Sequence, residues 1–167
     1  KIDKIPNLRP AFKADGTITA ANASSISDGA SALVLTKESN LAGRDPLTQI
    51  VAHATHSIHP SEFTLAPIGA IEKLLEKTGW DLDSVDLFEI NEAFAMVTML
   101  TSQSLGLDPA KVNVFGGACA QGHPIGSTGS RLIVTLAHAM KNQGKKRGIA
   151  ALCIGGGEAT AVALERN

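Results

Sequence analysis

The sequence predicts an α/β layered fold, and three observations carry that prediction. β-rich runs alternate with segments whose apolar residues recur at helical spacing. Two runs near the C-terminus, RGIAALCI and ATAVALE, are almost wholly apolar, and glycine-rich turns punctuate the ends of the elements. With 44% hydrophobic and 19% charged residues, the 167-residue chain has apolar mass for one good core or one and a half domains, which argues against disorder.

KIDKIPNLRPAFKADGTIT mixes proline, glycine and charge without a sustained period, so it reads as a surface-running connection whose apolar residues, Phe12 among them, dock elsewhere. NASSISDGASALVLT offers Asn, Ser and Asp capping groups, a small-residue turn of helix and the strand-like SALVLT, and LAGRDPL breaks the chain after it. TQIVAHAT is β-rich. The helix expected over 67–78 places Ile68, Ile71, Leu74 and Leu75 on one face, with Gly79 as its stop. DSVDLFEI gives a second strand, and NEAFAMVTMLTSQSL continues as a helix apolar on most sides, the pattern of a buried helix. Asp108-Pro109 starts a short turn with aspartate as cap and proline at the first helical position. Over 127–142, Leu132, Ile133, Leu136, Ala137 and Met140 recur at helical spacing until Gly144 and KKR close the segment. The glycines of GGACAQGHPIGSTGS therefore sit at the mouth of that helix. RGIAALCI and ATAVALE, parted by GGG, suit central strands buried on both faces.

A formal net charge of −1, with acids and bases interspersed, recommends neither nucleic acid nor an anionic membrane as partner. No apolar run approaches the roughly 18 residues of a membrane span, and the N-terminus lacks the basic-then-apolar order of a signal peptide. Two distant cysteines, Cys119 and Cys153, make neither a disulfide scaffold nor a CxxC metal site, which points to the cytoplasm or an equivalent reducing compartment. The chain opens at Lys1 without a methionine on loop-like sequence, which suggests a piece of something longer.

Chemistry collects at three residues placed at strand ends or beside helix starts: Asn91 in EINEAF, His123 in QGHPIG and Cys153 in LCIGGG. In layered α/β sheets such ends face the ligand crevice. An imidazole moves protons near neutral pH, a thiol serves as nucleophile, acid or base, and Asn91 can hold a water or donate to an oxyanion. The backbone of Gly155, Gly156 and Gly157 can present N–H groups to a second oxyanion. Together these parts describe acyl transfer on a thioester, although a second, nucleophilic thiol in a suitable place is missing. Ordinary structural readings stand beside this one: a loop histidine, an inert buried Cys153, and Asn91 as a helix cap. Cys119 reads as a small hydrophobe. His53, His56 and His59 recur every third residue, which on a strand alternates their sides, and no carboxylate or thiol pattern joins them into a metal site.

EINEAFA, GGACAQGHPIGSTGSR and CIGGGEATA, with NASSISDGA upstream, occur in the order and spacing of the thiolase signature segments, and the chain resembles that family along nearly its whole length. The resemblance implies the C-terminal half of an acetyl-CoA acetyltransferase. Residues 1–25 would be the tail of a CoA-covering loop domain, and 26–44 the last helix and strand of the N-terminal domain. Residues 45–167 would form the C-terminal domain, a β-α-β-α-β-β unit with a mixed sheet in a layered sandwich. His123 would activate the nucleophilic cysteine and donate into the first oxyanion hole, Asn91 would fix a water there, and Gly155 would supply an N–H to the second. Cys153 would be the acid/base that removes the α-proton of one acetyl-CoA or protonates a leaving enolate. Ser24 would touch the pantetheine arm, with Phe12, Ala20, Phe63, Ala93 and Phe94 lining its tunnel.

The family resemblance also places the acylated cysteine upstream of Lys1, on a missing N-terminal half. It implies acetyl-CoA and acetoacetyl-CoA as substrates, no separate cofactor or metal, and a homodimer or homotetramer for the whole protein. Ser127-Thr128 stands where the family commonly has Ala-Ser, Phe63 where short-chain members often have methionine, and Glu158 where a neutral residue is usual. Three other readings remain: a degradative 3-ketoacyl-CoA thiolase for longer chains, a non-catalytic acyl-CoA or lipid carrier, and a free-standing cysteine hydrolase using Cys119 and His123.

Overall fold

A computed structural model describes residues 2–167 and shows one mixed four-stranded sheet with helices on both faces. Its elements are β1 (Gln49–Ser57), α1 (Ala66–Thr78), β2 (Leu87–Ile90), α2 (Ala95–Leu105), a short α3 (Ala118–Gln121), α4 (Thr128–Asn142), β3 (Arg147–Ile154) and β4 (Glu158–Glu165). The strand order is β1-β4-β3-β2, with β2 parallel to β3 and the other pairs antiparallel. The two most apolar runs, β3 and β4, thus occupy the centre, as their composition predicts.

Alternation along the strands separates two cores. Ile149 and Ala151 of β3, with Phe88 and Ile90 of β2 and Ala159, Ala161 and Ala163 of β4, pack on the Ala70, Ile71 and Leu74 face of α1. On the opposite side, Leu87, Ala150 and Leu164 meet Leu132, Leu136 and Met140 of α4. α4 lies so close to β3 that a Cβ at Gly148 would stand 2.7 Å from Met140 Sδ and 2.8 Å from Leu136 Cδ1. Gly79, in the left-handed region at φ 70°, ends α1 where the sequence places its stop.

Three local expectations are corrected. The helix and strand expected within 26–44 are not there: residues 27–37 carry no regular structure, and Val34 and Leu35 are 99% and 69% exposed. A strand needs a hydrogen-bonding neighbour, and no described strand lies beside SALVLT. α2 begins at Ala95 rather than at Asn91, and of its residues only Val97 and Thr101 are fully buried, while Met99 is 68% exposed. Its apolar character on all sides is met by burial on one side only. The regular part of DSVDLFEI is limited to Leu87–Ile90, because Leu82–Ser84 forms a 3-10 turn. The opening segment forms a 3-10 turn over Ile2–Asn7 and then runs irregularly until Phe12 meets Phe94, with ring centres 5.8 Å apart.

Candidate active site

β2 and β3 run parallel, so their C-terminal ends open on the same edge of the sheet. Asn91 follows β2 directly, and its N–H donates to Ala151 O at 2.9 Å, which keeps it in register with β3. It is 1% exposed, and its Oδ1 is buried with no partner. An orphaned carbonyl oxygen of this kind needs a water or a ligand. The cap reading of Asn91 falls, since Phe94 occupies the N-cap position of α2. Cys153 lies one residue before the end of β3, opposite Ala159, and packs at the margin of the α1-side core. Burial raises its thiol above the ordinary range, so it is protonated at neutral pH. Gly155 follows in the exposed turn to β4, which closes through Gly157 at φ 89°, where a Cβ would strike the Ile58 carbonyl oxygen.

His123 sits between α3 and α4, and three ties hold its loop and these flanking helices to β2 and the loop after it. The first is a strap over 22–26. Asn22 O accepts from Ala95 N at 2.8 Å, Ser24 N and Oγ donate to Ala93 O, and Ser25 O accepts from His123 N at 2.9 Å. The second is Glu92, whose Oε2 accepts from Cys119 N at 3.0 Å and whose Oε1 accepts from Asn113 Nδ2 at 3.2 Å. Asn113, in the left-handed region at φ 47°, mimics a neighbouring strand: its Oδ1 accepts from Ile90 N and its Nδ2 donates to Ile90 O. The third tie is an ion pair, Arg131 Nη1 to Glu89 Oε2 at 3.4 Å.

The imidazole itself is oriented by Thr128, whose Oγ1 lies 2.7 Å from Nδ1, leaving Nε2 for other chemistry. Burial first, and the Arg131 guanidinium second, hold His123 below the ordinary imidazole range, so the ring is neutral and basic near pH 7. Phe63 and Phe12 both meet Phe94 edge to face, with centres 6.4 and 5.8 Å apart, and Ala93 carries the bonds to Ser24. These five residues form one continuous patch beside Asn91. Ala20 stands apart, exposed in the turn Thr19–Asn22.

Cys119 is a different thiol. Burial, then the Glu92 carboxylate, push it up to about 11, which suppresses the thiolate a hydrolase would need. The histidines of β1 and its turn have separate surroundings: Lys77 Nζ donates to the His53 carbonyl, the His56 ring lies against Gly69, and His59 Nδ1 meets Ser61 Oγ at 2.8 Å. Among the described residues no group of three metal-ligating side chains gathers, and no helix is long and apolar enough to cross a membrane.

Sequence reasoning missed Thr128, Glu92, Asn113 and the Glu89–Arg131 pair. For Glu89 a signal exists, an acid inside the apolar run DLFEI. Thr128 offers only a hydroxyl five residues after the histidine, and Glu92 and Asn113 are bonded across 21 residues.

The family description "Thiolase, C-terminal domain" matches residues 44–166, and "Thiolase, N-terminal domain" matches residues 1–39. A "Probable acetyl-CoA acetyltransferase" of Dictyostelium discoideum is 51% identical over 98% of this chain, which spans 40% of that relative. The crystal structure of the Bacillus anthracis acetyl-CoA acetyltransferase superposes with a TM-score of 0.96 at 44% identity, covering 99% of this chain and 42% of its own. Human mitochondrial 3-ketoacyl-CoA thiolase in complex with CoA superposes at 0.91 and 38% identity, covering 100% of this chain and 43% of its own. With both family descriptions matched and the α/β fold shared at this closeness, the chain belongs to the thiolase family.

Proposed function

We propose that the chain is the C-terminal part of an acetyl-CoA C-acetyltransferase, which joins two acetyl-CoA molecules into acetoacetyl-CoA and CoA or runs the reverse cleavage. What supports this reading is that Asn91 and Cys153 stand at the C-terminal ends of the parallel strands β2 and β3, and that the loop of the Thr128-oriented His123 is tied through Ser25 and Glu92 to the loop after β2. In this reading residues 1–25 belong to the loop domain over CoA, 26–44 to the N-terminal domain and 45–167 to the C-terminal domain. The exposed Val34 and Leu35 then pack on the N-terminal half of the same enzyme.

His123 removes the proton of a nucleophilic cysteine contributed by the rest of the protein, and that thiolate attacks the thioester carbonyl, releasing CoA and leaving an acyl-cysteine. His123 and an Asn91-held water steady the negative oxygen. Cys153, protonated at rest, gives its proton to the departing CoA thiolate and, as the thiolate this leaves, takes the α-proton of the second acetyl-CoA. The resulting enolate, held by the Gly155 N–H, attacks the acyl-cysteine and expels the enzyme thiolate. Ser24 and the patch of Phe12, Phe63, Ala93 and Phe94 guide the pantetheine arm, and Ala20, which stands apart from the patch, meets the arm only further along. The substrates are CoA thioesters, with no separate cofactor or metal, and the whole protein is a homo-oligomer, a dimer or tetramer, of a reducing compartment such as the cytoplasm.

A second reading, a degradative 3-ketoacyl-CoA thiolase of longer chains, is favoured by Phe63 and Glu158 and by the likeness to the human mitochondrial enzyme. Cleavage rates of acetoacetyl-CoA and a medium-chain 3-ketoacyl-CoA by the full-length protein decide between them, and preference for the longer substrate overturns the first. Acyl-CoA binding by the full-length protein without turnover, alike in wild type and His123→Ala, would instead favour a non-catalytic carrier.

A further inference from the structure

The strand β2 is built of Leu87, Phe88 and Ile90 around one acid, Glu89, which is 1% exposed. Its contact with Arg131 is single and 3.4 Å long, and Glu89 Oε1 and Arg131 Nη2 are both buried without partners. A pair this loose, half satisfied and desolvated, gives no stability that an apolar pair of the same volume would not. Its position supplies the other explanation. Arg131 stands three residues beyond Thr128, one turn along the same face of α4, and Thr128 holds the His123 ring. Glu89 stands two residues before Asn91, so both side chains leave the strand on one side.

We propose that the Glu89–Arg131 pair is a positioning element for His123: it fastens the first turn of α4, which carries the Thr128 hydroxyl, to the strand end that carries Asn91. The inference rests on His123 acting as the base. It is supported by the guanidinium being, after burial, the cause that lowers the imidazole, and by the Glu89 carboxyl being raised to about 7 by burial. The other titratable groups on the elements that flank His123 or bond to its loop are Glu92 after β2, Cys119 on α3, Asp28 beyond the strap, and His138 and Lys141 further along α4.

The test uses the full-length protein and reads His123 directly, through the pH dependence of its carbethoxylation by diethyl pyrocarbonate, tracked by mass spectrometry of the peptide, beside the pH profile of kcat/KM. Arg131→Gln is expected to raise the His123 midpoint by about half a pH unit or more. Glu89→Gln lowers it by leaving the guanidinium uncompensated, while Arg131→Lys keeps the midpoint but lowers kcat at unchanged KM. If a single variant does not fold, E89Q/R131Q, in which two neutral amides replace the pair, carries the test, and its midpoint rises like that of Arg131→Gln. A midpoint unchanged in both overturns the proposal, whatever the enzyme's substrate. Should the midpoint move while the acid limb of kcat/KM stays still, the pair positions His123 as proposed, and it is the reading of His123 as base that falls.

Discussion

Replacing Thr128 by valine removes one hydroxyl at nearly constant shape, and the structure says what that hydroxyl does. Thr128 is 2% exposed, and its Oγ1 lies 2.7 Å from His123 Nδ1 and 3.0 Å from the Pro124 carbonyl. That carbonyl keeps two backbone donors, Ser127 N at 2.8 Å and Thr128 N at 2.9 Å, so the first turn of α4 survives the change. The imidazole does not keep its partner. Leaving a half-buried ring nitrogen unsatisfied costs about 1–3 kcal/mol, which at 1.4 kcal/mol per tenfold is a loss of roughly 5- to 100-fold in kcat/KM. KM for acetoacetyl-CoA stays near its original value, since Thr128 acts on the ring and not on the thioester. Thr128→Ser, which restores the oxygen, is expected to recover kcat/KM to within about threefold. The assay is thiolytic cleavage of acetoacetyl-CoA by the full-length protein, with circular dichroism to establish folding. A folded Thr128→Val enzyme with unaltered kcat/KM would show that the ring is oriented by something else.

Asn113→Ala removes the bonds to Ile90 N, Ile90 O and Glu92 and leaves alanine at φ 47°. Thermal melts of the full-length protein should show about 2–4 kcal/mol of destabilisation, with Asn113→Gly milder because glycine accepts that backbone. Cys119, raised from 9.0 to about 11, should be alkylated by iodoacetamide roughly a hundredfold more slowly at pH 7 than an unperturbed thiol, and a rate equal to that of a free thiol would contradict its burial beside Glu92. For Glu89 the folded carboxyl is raised from 4.5 to about 7, so its contribution to stability is fully present below pH 4.5 and is lost as pH rises through 7. Urea unfolding at pH 5 and pH 8 should therefore show a loss of roughly 3 kcal/mol from this group, absent in Glu89→Gln. A wild type and Glu89→Gln with the same pH dependence would refute it.

What was legible in the sequence was whatever one element settles by itself. β3 and β4 announced themselves because a strand buried on both faces must be apolar at every position, and α1 and α4 because a helix on a sheet needs one apolar stripe. SALVLT failed as a strand for the opposite reason: β structure is a property of a pair, and the described residues give it no neighbour. α2 misled because its apolar residues run all round while its core contacts take only one side.

The site divides along the same line. Asn91, His123 and Cys153 were visible as chemical types at element ends, yet nothing local tells an asparagine that holds a water from one that caps a helix. The start of α2 at Ala95, with Phe94 as its cap, removes the cap reading. The residues that hold the site together were invisible because their bonds are long in sequence: Glu92 reaches Cys119 across 27 residues, Asn113 reaches Ile90 across 23, and Ser24 reaches Ala93 across 69. Each ties the loop after β2 to another part of the site, and the strap and Glu92 tie it to the His123 loop, which explains why that loop tolerates so much glycine. A chain with Gly116, Gly117, Gly122 and Gly126 around its histidine has high conformational freedom before folding. Bonds from outside the loop, and not its own sequence, confine it, so loosening Glu92 or Ser25 should disturb His123 more than most substitutions made within the glycine-rich stretch itself.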